Sequence, residues 1–189
     1  MKTMNLAITT ILMTAVWATP GAATTAFTGG QSSTGSVASS RIPNPMIDYP
    51  GFQRGVDDVG KVREERRITE AEFLEMASDP DTIIFDARSD AKFELLHVKG
   101  AKHLSLPDVT AAELGKIIPA KQTRILIYCN NNFANEPTAL PGKAPPASLN
   151  LYTFNTLYSY GYKNVYELGP LIDIRTTKIP FEGTLVDGK

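Results

Sequence analysis

Ile125-Leu126-Ile127-Tyr128 is an unbroken apolar run that stops at Cys129, the only cysteine in a chain of 189 residues. A strand apolar at every position has to be buried on both faces, as the central strands of a helix-covered parallel α/β sheet are. Ligands of such sheets gather at the carboxyl ends of the strands, so the run delivers Cys129 to the place where a site is expected. The residues that follow, Asn130, Asn131, Asn132 and Phe133, can turn backbone N–H groups toward the sulfur. That arrangement suits anion binding and a stabilised thiolate. The competing reading is a small buried hydrophobe, an ordinary state of free cysteine.

Composition narrows the classes. At 42% hydrophobic and 21% charged residues the chain is long enough for one sizeable core. Its formal charge of −1 offers no basic excess for nucleic acid. Lys2, the apolar run Leu6 to Trp17 and the small residues Ala18 to Ala23 follow the pattern of a secretory signal. Residues 1–23 are therefore expected to be a signal peptide, with Ala26 as the second choice of cleavage site and a periplasmic or secreted product. The apolar run is shorter than the roughly 20 residues of a membrane span, so no stable membrane anchor is expected; an uncleaved anchor is the alternative. An oxidising compartment would leave Cys129 without a disulfide partner in its own chain.

Residues 24–46, rich in Thr, Gly and Ser, read as a flexible tether. Residues 47–67 read as an N-terminal extension: Ile47 to Phe52, punctuated by Pro50 and Gly51, as an extended arm with apolar anchors, and Val59 to Arg67 as a solvated charged face. Residues 68–189 carry the folded domain. Thr69-Glu70-Ala71-Glu72 is a capping box opening a short helix with Phe73, Leu74 and Ala77 inward. Thr82 to Phe85 is a strand, Ser89 or Asp90 caps the next helix, Gly100 sits in a turn, and Val109 to Ile118 is helical. After the central strand, Ser148 or Asn150 caps a helix with Leu151, Phe154, Leu157 and Tyr158 on one face, closed by Gly161. Val165 to Leu168 is the last strand.

Three separated pieces together resemble a rhodanese-like domain over roughly Ile68 to Gly183. Phe85-Asp86-Ala87-Arg88 resembles D-V-R, Leu96-His97-Val98-Lys99-Gly100-Ala101 resembles G-H-I-P-G-A, and Tyr160 to Leu168 resembles the closing G-Y-x-N-V-x-x-L. The resemblance implies a single α/β domain with a parallel five-stranded sheet flanked by helices, and a cysteine loop shaped as a cradle. It also implies that Cys129 is catalytic and carries sulfane sulfur as a persulfide, taken from a donor such as thiosulfate.

The family loop C-x-x-G-x-R would place glycine at Asn132 and a cation at Ala134. The asparagines can instead supply left-handed backbone angles. Residues 134–147 form a Pro-rich insertion, either a tolerated surface loop or a flap that brings Lys143 over Cys129. Asp86, Arg88 and His97 read as scaffold, with Glu94 as a partner for Arg88, and His103 as a satisfied side chain. No metal motif is present and no cofactor is expected.

A related cysteine-loop phosphatase would need an arginine after the cysteine, and none occurs between Cys129 and Arg175. The expected function is an exported persulfide carrier or sulfurtransferase, poor with thiosulfate. The alternative is a catalytically inactive binding or interaction module. The expected partners are a small sulfur-containing anion or persulfide donor and another exported redox or sulfur-carrier protein.

Overall fold

The computed structural model describes residues 42–187, and the signal-peptide reading and most of the tether lie outside them. The strands are β1 (Arg67–Ile68), β2 (Ile83–Asp86), β3 (His97–Val98), β4 (Lys102–His103), β5 (Ile125–Tyr128), β6 (Phe133–Ala134), β7 (Val165–Leu168), β8 (Ile172–Asp173) and β9 (Phe181–Glu182). The helices are α1 (Tyr49–Arg63), α2 (Glu70–Ala77), α3 (Asp90–Leu95), α4 (Ala111–Ile117), α5 (Leu149–Ser159) and α6 (Thr184–Asp187). One sheet runs β1-β7-β5-β2-β4, every neighbouring pair parallel. The expected five-stranded parallel α/β sheet is the one observed, with β5 in its centre.

All four residues of β5 are buried, and they divide between two cores. Leu126 and Tyr128 face Phe73 of α2, together with Leu140 of the insertion. Ile125 and Ile127 face Leu114 of α4, Phe154 and Leu157 of α5, and Val59 of α1. The period-2 geometry of a strand turns one continuous apolar run into two opposed contact surfaces. Two outlying pairs tie the periphery down: β3 with β9, antiparallel, and β6 with β8, parallel.

The capping box forms as read, with Glu72 N–H on Thr69 Oγ1 and Glu72 Oε2 on Thr69 N–H. Gly100 and Gly161 take φ of +79° and +88°, which turn and helix end both demand of a residue without Cβ.

The extension departs from its reading. Tyr49–Arg63 is a helix of 15 residues and not an extended arm. Asp48 accepts the Gly51 N–H at 2.9 Å, and Pro50 falls in the first turn, where a missing N–H leaves no bond unmade. Pro and Gly read as breakers were therefore parts of a helix start. The charged stretch is not wholly solvated either. Arg63 reaches Glu167 of β7 through Nε at 2.6 Å and Nη2 at 2.7 Å.

Candidate functional site around Cys129

Behind the cysteine lies a buried polar cluster built by β2 and β5. Asp86 and Tyr128 are register partners on these strands, and the Tyr128 hydroxyl donates to Asp86 Oδ2 at 2.5 Å while accepting the Val98 N–H at 3.0 Å. Arg88 grips the same carboxylate through Nε and Nη2, with Nη2 at 2.6 Å from Oδ2. Its remaining bonds run to Leu96 O and Ala139 O. Arg88 thus pairs with Asp86 and not with Glu94, because the side chain points into the core, where only the carboxylate two residues back can neutralise it. Burial would lower the guanidinium, but the Asp86 carboxylate outweighs burial and holds it above its ordinary value. The Tyr128 phenol is pushed well above its ordinary value by burial first and by the Asp86 charge second. Both groups are held in one protonation state near neutral pH.

His97 stacks on Phe93 at 3.6 Å, hydrogen-bonds Phe93 O through Nδ1 at 2.7 Å, and meets Glu182 Oε1 through Nε2 at 3.2 Å. Glu182 also accepts the Gly100 N–H, so the turn, β3 and β9 are pinned at one point. His103 meets Arg88 O at 2.9 Å.

Cys129 follows β5 directly and is 1% exposed. Asn130–Asn132 form a single 3-10 turn. The Asn132 N–H is shared between Cys129 O, at 3.1 Å, and the Cys129 sulfur, closing a capping box, and the Phe133 N–H is taken by Asn130 O. Of the amides expected to face the sulfur, that of Asn132 does so, and that of Phe133 is taken by a carbonyl. None of the three asparagines adopts a left-handed angle; among the described residues the one non-glycine positive φ is that of Asn135. Asn131 and Asn132 act through their side chains instead.

Asn132 Oδ1 accepts the Cys129 N–H at 2.8 Å and Asn150 Nδ2 at 3.0 Å, while Asn132 Nδ2 donates to Leu168 O at 2.6 Å. Asn150 Nδ2 also donates to Glu167 Oε1, the carboxylate held by Arg63. Asn131 makes a paired bond with the main chain of Lys143, 2.8 Å to its O and 2.9 Å from its N–H. Asn130 is buried with Oδ1 lacking any partner among the described residues.

Phe133 belongs to the core, its ring edge-on to Tyr128 and Phe181.

The insertion is ordered. Ala139 and Leu140 are buried in the same core as Tyr128. Carbonyls of Thr138 and Ala139 accept from Lys92 Nζ and Arg88 Nη1. From Gly142 to Ala147 the segment is exposed, and it ends at Ser148, whose Oγ is 3.4 Å from Cys129 Sγ. Lys143 does not contact the sulfur. It lines an adjoining cavity of about 390 Å³ together with Arg88, Lys92, Asn130 and Leu149.

Sequence reading missed the chain of bonds from Arg63 through Glu167, Asn150 and Asn132 to Cys129. Its one visible signal was a glutamate inside an otherwise apolar strand, Val165-Tyr166-Glu167-Leu168. Among the described residues no group of three or more His, Cys, Asp or Glu is placed to hold a metal ion.

A family profile described as the rhodanese-like domain matches residues 69–169. Among solved structures, the Alr3790 protein from Anabaena sp. is similar at 20% identity and TM-score 0.45, over 64% of this chain and 95% of that one. The BH2092 protein from Bacillus halodurans is similar at 17% identity and TM-score 0.46, over 75% and 88%. A rhodanese from E. coli, solved with anions, is similar at 18% identity and TM-score 0.37, over 54% and 98%. No curated protein sequence matches the chain.

Proposed function

The chain belongs to the rhodanese-like domain family, and from that premise we propose that it carries sulfane sulfur as a persulfide on Cys129. The observation that supports this reading most directly is the placement of the lone thiol at the carboxyl end of the central strand, next to a cavity that Asn130 and Lys143 line.

In the transfer step the Cys129 thiolate attacks the outer sulfur of a donor R–S–SH. The new S–S bond forms as the donor S–S bond breaks, giving Cys129–S–SH and R–S⁻. A nucleophilic acceptor then removes the outer sulfur and restores the thiolate. Because Cys129 is 1% exposed, its surroundings have to move before a donor reaches it. Ala134 stands where the family pattern carries a cation, and no arginine follows before Arg175. Loss of one charge-assisted contact is worth about 1.5–3 kcal/mol, so thiosulfate should react ten- to a hundredfold less well than a low-charge persulfide. We place the protein outside the cytoplasm, on the leader-like residues 1–23, with another exported redox or sulfur-carrier protein as exchange partner.

The test is intact mass after treatment with thiosulfate, polysulfide or glutathione persulfide, using Cys129→Ser as blank. One added sulfur, absent in the blank, supports the carrier reading. No adduct from any donor leaves the second reading, a binding module without turnover, which the burial of Cys129 favours.

A further inference from the structure

Ser148 occupies the N-cap of α5, where serine ordinarily offers its oxygen to an N–H of the first turn. Here the side chain makes no cap bond. Its Oγ lies 3.4 Å from Cys129 Sγ instead. Backbone capping is still met in part, since Ser148 O accepts the Leu151 N–H at 3.1 Å. A hydroxyl that forgoes the helix for a sulfur points to a role at the sulfur.

We propose that Ser148, brought to the site by the far end of the 134–147 insertion, donates its hydroxyl hydrogen to the Cys129 sulfur and so makes the site selective for sulfur donors of low charge. The inference rests on the reading of Cys129 as a sulfur carrier. Ionised thiol and persulfide are acceptors only, so Ser148 must be the donor to either. Being neutral, it stabilises a single negative charge without the pull on a dianion that an arginine would exert. Asn130 lines the adjoining cavity. Its Oδ1 is enclosed there without a partner among the described residues. The substrate class that fits is a small-thiol persulfide with at most one negative charge at the reacting sulfurs, in preference to thiosulfate.

Ser148→Ala and Ser148→Gly both remove the hydroxyl. Glycine is tolerated at an N-cap, so that variant keeps the test open if the alanine form folds poorly. Thiolate ultraviolet absorbance against pH, with Cys129→Ser as blank, reads the sulfur without any need for transfer or access. A hydrogen bond to a charged group predicts a titration displaced upward by about one to two pH units, a ten- to hundredfold loss of thiolate at fixed pH. Ser148→Thr, which keeps the hydroxyl, should move it back. That pattern supports the proposal even if no donor adds sulfur. Profiles of the alanine and glycine variants that superimpose on the native one overturn it, even if every donor does.

Discussion

Arg63→Ala is the substitution whose effect reaches furthest. The Arg63 and Glu167 side chains are 18% and 5% exposed, and two short bonds join them at 2.6 and 2.7 Å. Removing the arginine leaves a carboxylate in the sheet with Asn150 Nδ2 as its remaining donor. Breaking a buried pair from one side costs about 3–5 kcal/mol, and the partial exposure of Arg63 argues for the lower end. For a domain of this size about 3 kcal/mol corresponds to a fall in Tm of roughly 6–12 °C. Urea and thermal unfolding measure it. A double-mutant cycle with Glu167→Gln separates the pair from the loss of arginine packing.

The same variant should loosen the cysteine loop, because Glu167, Asn150, Asn132 and the Cys129 N–H are joined in series. Hydrogen exchange of the Cys129 amide should quicken in Arg63→Ala by more than global destabilisation explains. A Tm within about 2 °C of native, with unchanged exchange at Cys129, would refute the idea that the extension braces the site.

Leu157→Ala should cost about 2–5 kcal/mol in denaturant unfolding, since Leu157 is buried against Phe154 and the sheet; an unchanged midpoint would remove that helix face from the core. Asn131→Ala deletes both bonds to Lys143 and should raise the rate of Cys129 alkylation by roughly tenfold, about one exposed hydrogen bond's worth for each; a native rate would show that the segment is not latched there. On the acid side, the Glu70 carboxyl is held below its ordinary value by the Thr177 hydroxyl first, and that of Glu182 by the Gly100 N–H first and then by His97. Groups depressed on folding give stability that is present above their unfolded value and lost as pH falls through the folded one. Unfolding free energy should therefore decline below about pH 5, less steeply in Glu182→Gln, and a rise on acidification would contradict the assignment.

The sheet was legible because its signals are local. Ile125 to Tyr128 can only be a doubly buried strand, Thr69 and Glu72 declare a helix start, and Gly100 and Gly161 mark turns. The helix Tyr49–Arg63 was hidden because Pro50 and Gly51 carry opposite meanings in a first turn and in a loop, and only the Asp48 cap bond decides between them. Around Cys129 the position of the thiol could be read, but the work of the asparagines could not. A left-handed angle and a side-chain bridge use the same residue, and the bridges of Asn131 and Asn132 end on Lys143, Leu168 and Asn150, distant in sequence. The partner of Arg88 was misread for a related reason: Glu94 stands close in sequence, while the chain leaving β2 turns the guanidinium inward to Asp86.

The enclosure of Cys129 has a consequence for redox chemistry between molecules. A disulfide needs its two Cα atoms within about 7 Å, a distance that two copies of this chain cannot reach while backbone and side chains lie between each sulfur and solvent. The chain should stay monomeric on a non-reducing gel after exposure to a mild oxidant that cross-links surface thiols. A sulfur stored on Cys129 would be shielded in the same way from free reductants, so its loss would scale with the fraction of time the site is open.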